Sequence, residues 1–355
     1  MRKPKVILGC FFVVSFLLAA CAPAAPVPAA PKSAPAKTSY LDSLYDAAKK
    51  EGGVVWHSAV SPDLFDLLID TFQKKFAGIK VEGYPLLAPQ LAPRIITEQQ
   101  AGRVSTDVGT GSVAAFEPLY QRNLLVAHDY AGAGVDPKRI VLDSKGSVVR
   151  DMPWGVIYNT NQVAANDVPK KWEDLLNPKF QGRIGTQRTG AGWEGAASIW
   201  DEAKLMSFLT ELKKQKPAAW GRSEDIIPRV ASGELLIGIV VLTVVAEEQA
   251  KGAPLGLAPV GPNLSQPQLV SVIKDGPNPN AAKLFSAWAA TAEATPGWIK
   301  ANWGPLKPCD GPLVLDKFMC GKEYQILYED SFEKAQSTAK IRKLVADTLG
   351  FTAAQ

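Results

Sequence analysis

Histidine is the scarcest reactive side chain in this chain of 355 residues, which has His57 and His128 and no other. Imidazole is the usual base of hydrolases and a common zinc ligand, so both chemistries have little to work with. No G-x-S-x-G elbow is present, and no Cys/His pair has a zinc-site spacing. His57 is followed by Ser58, but neighbours on a strand point to opposite faces and do not act together as base and nucleophile. An exported hydrolase is therefore the weaker of the functional classes open to the chain. Excess charge is also lacking: Lys+Arg number 39 and Asp+Glu 35. Three of the basic residues, Arg2, Lys3 and Lys5, stand before an apolar N-terminal run, so the remainder is nearly balanced. That balance gives no electrostatic case for nucleic acid. Beyond that run no apolar stretch is long enough to cross a bilayer, and Ile237 to Ala246 reads as core.

The basic start and the uncharged run from Val6 to Ala20 have the length and order of a secretory signal, assigned to residues 1–20. The run ends in Leu18-Ala19-Ala20-Cys21, which resembles the lipobox of bacterial lipoproteins. The resemblance implies cleavage before Cys21, diacylglycerol on its thiol and a fatty acyl chain such as palmitate on the new amino group. Residues 21–39 are mostly alanine and proline, a composition that builds no core and favours extended polyproline II. They read as a stalk that holds a globular domain clear of the outer face of a bacterial membrane. Of four cysteines, Cys10 leaves with the signal and Cys21 takes the lipid. Cys309 and Cys320 remain, and outside the cytoplasm such a pair is expected to form a disulfide; a metal site is the competing reading, with no histidine near in sequence.

From Tyr40 onward apolar periodicity alternates between helix and strand. A first helix runs through Leu41, Leu44, Tyr45 and Ala48 and stops at Gly52, before the strand Val54–His57. Pro62 opens a helix with the stripe Phe65, Leu68, Ile69, Phe72, Phe76, and Ile79–Glu82 is the next strand. This βαβ rhythm implies parallel pairing. A helix through Ile95 and Ile96, a strand around Asp107-Val108, and a helix from Ser112 follow. Gly109–Ala114 formally fits G-x-G-x-x-A, but it lies in the wrong βαβ unit for a dinucleotide fingerprint, and an exported protein has no use for one. At Asp151–Asn161 Pro153 interrupts an apolar strand, as suits a chain crossing between two lobes. The second half repeats the pattern: helical Trp172–Leu176, strand Arg183–Thr186, helical Trp193–Gln215 and Ser223–Ser232, strand Leu235–Val240, helix Val244–Lys251. Leu255–Val260, again marked by glycine and proline, is the expected return crossing, and Ala281–Ala292 and Phe332–Leu349 are late helices.

Several stretches in this order resemble the extracellular solute-binding proteins of ABC transporters, in the family 1 type that includes the ferric-iron binders. They are Ala47–Gly52, Phe72–Val81, Val156–Asn161, Trp172–Ile184 and Pro279–Phe285. The resemblance implies an α/β fold of type II: two lobes, each a mixed sheet flanked by helices, joined by crossing hinge strands. The expected bounds are 40–153 and 261–355 for lobe 1, with C-terminal helices able to pack across both, and 154–260 for lobe 2. It further implies a monomer that closes on a small solute, delivers it to a membrane permease, does no chemistry and needs no cofactor.

Closure would bury the solute on strand-end loops and helix N-termini, where free N–H groups favour anions. The positions this singles out are Ser58, Gly111, Ser112, Trp154, Arg188, Thr189, Trp193, Leu242 and Thr243. Each has a second reading: Ser112 as a helix cap, Trp154 and Trp193 as core aromatics, Arg188 as one end of a salt bridge between lobes. Ferric binders of this type carry neighbouring tyrosines after the strand that here ends near Val240. This chain has Val240–Val245 there, with Thr243 as the one polar residue. An organic or inorganic anion is thus expected ahead of iron.

Overall fold

The computed structural model describes residues 40–58, 62–86, 88–300, 315, 318 and 326–351. The signal, the stalk, Cys21 and the Cys309/Cys320 pair lie outside the described residues. The described residues form one compact unit.

Its first part alternates as the apolar pattern requires: α1 (Tyr40–Glu51), β1 (Gly53–Ser58), α2 (Pro62–Lys75), β2 (Lys80–Pro85), α3 (Ala88–Gln100), β3 (Val108–Ser112), α4 (Val113–Gln121). β1 lies between β2 and β3, parallel to both. Two short strands, β4 (Leu125–Val126) and β5 (Ile140–Val141), precede β6 (Gly146–Asn159). The second part holds β7 (Ile184–Gln187), α5 (Glu194–Ile199), α6 (Glu202–Lys214), β8 (Ala218–Trp220), α7 (Ser223–Ser232), β9 (Ile237–Val241), α8 (Leu242–Ala250) and β10 (Leu255–Ala258). The chain then returns through β11 (Asn263–Ile273), α9 (Pro279–Ala289) and α10 (Thr295–Lys300), and the described C-terminal elements are β12 (Ile326–Tyr328) and α11 (Phe332–Leu349).

Strand β6 joins the two sheets. Its residues up to Pro153 pair antiparallel with β11 in the first sheet, and from Trp154 it pairs with β9, then also β10, in the second. The strand therefore changes sheets at Pro153-Trp154, where the missing proline N–H interrupts the ladder. The return differs from the expected place. Leu255–Ala258 is still in the second sheet, against Val156–Asn159, and the chain passes back through residues 259–262, which include a cis Gly261-Pro262 bond. β11, which no apolar alternation announced, is the central strand of the first sheet, flanked by β3 and β6. Pro267 stands in its middle, next to a bulge at Gln268/Leu269 that accommodates the lost donor.

Smaller departures have local causes. Trp172–Leu176 is a 3-10 turn rather than an α-helix, and the helical stretch from Trp193 breaks in two, with Asp201 capping α6 through a 2.8 Å bond from the Lys204 N–H.

Aromatics fill the cores. Trp56, Phe72, Phe285, Trp288 and Trp298 pack on one face of the first sheet, and Leu91, Ile95, Phe116 and Leu269 on the other. Trp172, Trp193, Phe208 and Ile237 share a core in the second lobe. Glu51 at the end of α1 accepts the Asn280 and Ala281 N–H groups at 2.9 and 2.7 Å, which satisfies the first turn of α9.

Candidate solute-binding site

In the first lobe the candidates form a row. Ser58 on β1 is the register partner of Thr110 on β3, and Trp56 Nε1 donates to Thr110 Oγ1 at 2.8 Å, which fixes the face on which they stand. Two residues on, Ser112 opposes Gln268 of β11, and Gln268 opposes Arg150 of β6. Register partners on neighbouring strands share a face. Ser58, Thr110, Ser112, Gln268 and Arg150 thus make a polar strip across the sheet beside its crossing to the second lobe. Ser112 also caps α4, its Oγ accepting the Ala115 N–H at 3.4 Å, so its cap role is real. Gly111 leaves room for a packed helix: a Cβ there would lie 3.2 Å from the Ala115 Cβ.

Arg150 and Gln268 are absent from the positions the sequence singled out. Arg150 is 3 % exposed, an unusual depth for an arginine. Burial pushes its guanidinium well below its ordinary value, and the Asp151 carboxylate acts in the opposite direction. A guanidinium keeps its proton at neutral pH, so this records a positive charge held out of water. The sequence carries a signal for it: two adjacent charges, Arg150-Asp151, inside an apolar strand just before Pro153.

In the second lobe the candidates sit on loops and helix starts. Gln187 at the end of β7 donates to Ser223 Oγ at 2.9 Å, and the same hydroxyl accepts the Val241 N–H at 3.0 Å, so one serine ties the ends of β7 and β9. Arg188 and Thr189 begin the loop. The Arg188 N–H donates to Trp220 O at 2.8 Å, and its side chain is half-buried, with no ion pair among the described residues. Thr189 is exposed, and its Oγ1 accepts the Ala191 N–H at 3.4 Å. Gly190 and Gly192 have φ of +75° and +96°, values that only glycine holds easily. Trp193 is fully buried, with Nε1 bonded to Thr186 Oγ1 at 2.9 Å, as a core aromatic would be. Leu242 and Thr243 follow β9 directly as the first turn of α8, which starts two residues before the expected Val244, and both are buried.

Trp154 connects the two halves. It is buried with Ala191, Val241 and Leu264, and a Cβ on Gly192 would come within 2.9 Å of its ring. Its Nε1 donates to Gln266 Oε1 at 3.2 Å, one alternation along β11 from Gln268. The structure therefore places Ser58 and Ser112 on one side and Trp154 with the Arg188–Gly192 loop on the other, while Gly111 faces Leu91 and Phe116 behind the first sheet and Trp193 lies in the second lobe's core.

His57 projects to the opposite face from Ser58. It stacks on Tyr84 and lines a cavity of about 510 Å³ with Arg94 and Ser105. Burial, aided by Arg94, lowers its ring to about 4. No group of three or more His, Cys, Asp or Glu among the described residues is placed to hold a metal ion.

Residues 58–296 match the model of the bacterial extracellular solute-binding proteins. The chain belongs to that family. Among solved structures it is similar to the substrate-binding protein of an ABC transporter from Agrobacterium tumefaciens, with a TM-score of 0.69 at 14% identity over 84% of this chain and 94% of that one. It is also similar to the periplasmic binding protein AfuA of Actinobacillus pleuropneumoniae, solved with fructose-6-phosphate, with a TM-score of 0.65 at 20% identity over 84% and 99%. The apo ferric ion-binding protein A of Pasteurella haemolytica gives 0.67 at 16% identity over 85% and 99%. At these identities the likeness is one of fold: the two-lobed architecture of periplasmic binding proteins. An uncharacterized protein of Haemophilus influenzae is 31% identical over 165 residues, 42% of this chain; the chain spans about half of that relative, 47%.

Proposed function

We propose that this protein captures a small anion, organic or inorganic, between its two lobes and hands it to an ABC permease. The observation that carries this reading is the strip built around the buried Arg150, set beside the crossing where Trp154 and the Arg188–Gly192 loop meet it. A desolvated guanidinium gains from a carboxylate or phosphate brought within hydrogen-bond reach, through charge-assisted and often two-armed bonds. Gln268, Thr110 and the serines supply neutral partners for the remaining oxygens. On the other lobe the first N–H groups of α8 and the Arg188 guanidinium complete the enclosure. Lobe 1 is residues 40–153 with 261–355, lobe 2 is 154–260, and the two rotate about the crossing strands.

The same reading makes the protein a monomer tethered through lipid on Cys21, exported by residues 1–20, held on the 21–39 stalk and braced by Cys309–Cys320. Replacing Cys21 by Ser should move it from the membrane to the soluble fraction; unchanged membrane recovery contradicts the anchor.

The test of function is thermal unfolding with a panel of carboxylates, phosphate and sulfate esters, ferric citrate, neutral sugars and polyamines. A solute at a hundred times its Kd adds about 2.7 kcal/mol to the native state. A rise with one anion class is expected. A rise confined to ferric ion, neutral sugars or polyamines contradicts the anion reading.

A further inference from the structure

Helix α11 is shared between the lobes by halves. At its start Phe332 packs on Tyr120 of α4 with ring centroids 5.2 Å apart, and Gln336 Nε2 donates to Glu117 Oε1 at 2.6 Å. At its end Val345 and Leu349 are buried in the second lobe's core with Leu209 and Leu212 of α6.

Arg342 stands at the join. Its Nε donates to Glu194 at the start of α5, and its Nη2 lies 3.4 Å from Glu329. Both carboxylates are 2 % exposed. Glu194 also accepts the Gly192 N–H at 2.7 Å, so it holds the glycine loop as well as the arginine. Glu329 accepts from Thr338 Oγ1 and, at 3.2 Å, from Gln266 Nε2, and Gln266 in turn accepts from Trp154. A continuous path of bonds therefore runs from the loop after β7, through Arg342, to β11, which follows the return crossing, and to β6, which crosses between the sheets. Gly190 shows how closely α11 and the loop approach: a Cβ there would sit 2.3 Å from the Arg342 carbonyl oxygen.

Burying two carboxylates with one guanidinium is a poor route to stability, because desolvation offsets much of the attraction. What such a group supplies is position. We infer that α11 and the Glu194–Arg342–Glu329 cluster form a strut that fixes the Gly190–Glu194 loop against the crossing strands and restrains lobe movement. Arg342 is on this view a positioning residue. The inference rests on the reading that the lobes move about the crossings, but its test needs no solute, so a failed solute screen leaves it standing or falling by itself.

The test is hydrogen exchange of the full-length protein. Arg342→Ala strands two buried carboxylates and risks unfolding the whole molecule. The deciding variant is the neutral triple Glu194→Gln, Arg342→Met, Glu329→Gln, which keeps side-chain size. Amides of residues 190–194 and 263–268 are expected to exchange about tenfold faster or more, while β1 and α7 keep wild-type rates, as local opening requires. Arg342→Lys, which keeps the charge without the two-armed fork, is expected to fall between. Wild-type exchange at residues 190–194 and 263–268 in the triple variant, or equal acceleration everywhere, overturns the strut.

Discussion

The two halves of the candidate site are made differently. In the first lobe the polar groups are side chains on neighbouring strands, Ser58, Thr110, Ser112, Gln268 and Arg150, set by register in a hydrogen-bonded ladder. In the second they are a glycine loop and two helix starts, held by what packs behind them: Ser223, Trp154, the return crossing and α11. A ladder keeps its geometry without outside help. A loop with two positive-φ glycines does not, and it needs the backing that Glu194 and Pro262 supply. On the proposed reading the first half is a fixed platform and the second the jaw that closes on it, its shape set from outside.

That contrast can be broken where the jaw is backed. Gly195, in the first turn of α5, leaves so little space that a Cβ would lie 1.7 Å from the Pro262 carbonyl oxygen. Gly195→Ala must displace α5 from the return crossing. It is expected to cost about 3 kcal/mol or more, read as a lower midpoint in denaturant. Gly111→Ala, in the platform's β3, meets the Ala115 Cβ at 3.2 Å, so that α4 has to give by only a few tenths of an ångström, and is expected to cost less. Equal costs would remove the distinction.

A smaller effect is expected from the start of the jaw loop. Arg188 has no ion pair among the described residues to lose, so Arg188→Ala should leave the thermal midpoint near wild type. It should weaken binding of the solute found by the screen by up to about tenfold, the worth of one partly solvated charged hydrogen bond. Unchanged affinity excludes Arg188 from the site.

A further effect is one of pH, and it falls on the platform lobe, because both histidines are there. His128 lies between Tyr40 and Tyr130 with both ring nitrogens buried and unbonded, and burial, then Lys283, lowers it to about 3. His57 is lowered to about 4. Each ionises near 6.5 when unfolded. A depressed folded value means stability that is complete above about pH 6.5 and is lost as pH falls toward 4 and 3. Measured against the intrinsic exchange rate at each pH, amide protection should fall first in β1 and the segment around Tyr130 as pH drops from 6.5 to 4.5, and His128→Phe should flatten the loss. A first opening in the second lobe would contradict this.

The elements legible in the sequence are those whose signals are local. The stripe Leu68, Ile69, Phe72, Phe76 defines α2 on its own, and Pro153 beside an apolar run marks the crossing because a proline must interrupt a ladder wherever it stands. The platform row was not legible, since Gln268 and Arg150 become neighbours only through pairing between strands more than a hundred residues apart. β11 was hidden by Gln266-Pro267-Gln268, which break the apolar alternation at the place where the strand passes the candidate site. The return crossing was placed a few residues early, because Gly256 and Pro259 resemble breakers but Leu255–Ala258 still has β6 to pair with. Trp193 was ambiguous for a different reason: a tryptophan after a glycine has the same composition whether it lines a core or a ligand, and only its bond to Thr186 decides.

The central claim is that a buried arginine on the platform holds the solute's negative charge. Calorimetric titration of the screened anion into wild type and Arg150→Met, with folding of both checked by circular dichroism, tests it directly. Loss of one charged, buried hydrogen-bond partner is expected to weaken binding about tenfold to a hundredfold, more than Arg188→Ala. A folded Arg150→Met protein that binds the anion as tightly as wild type would contradict the account.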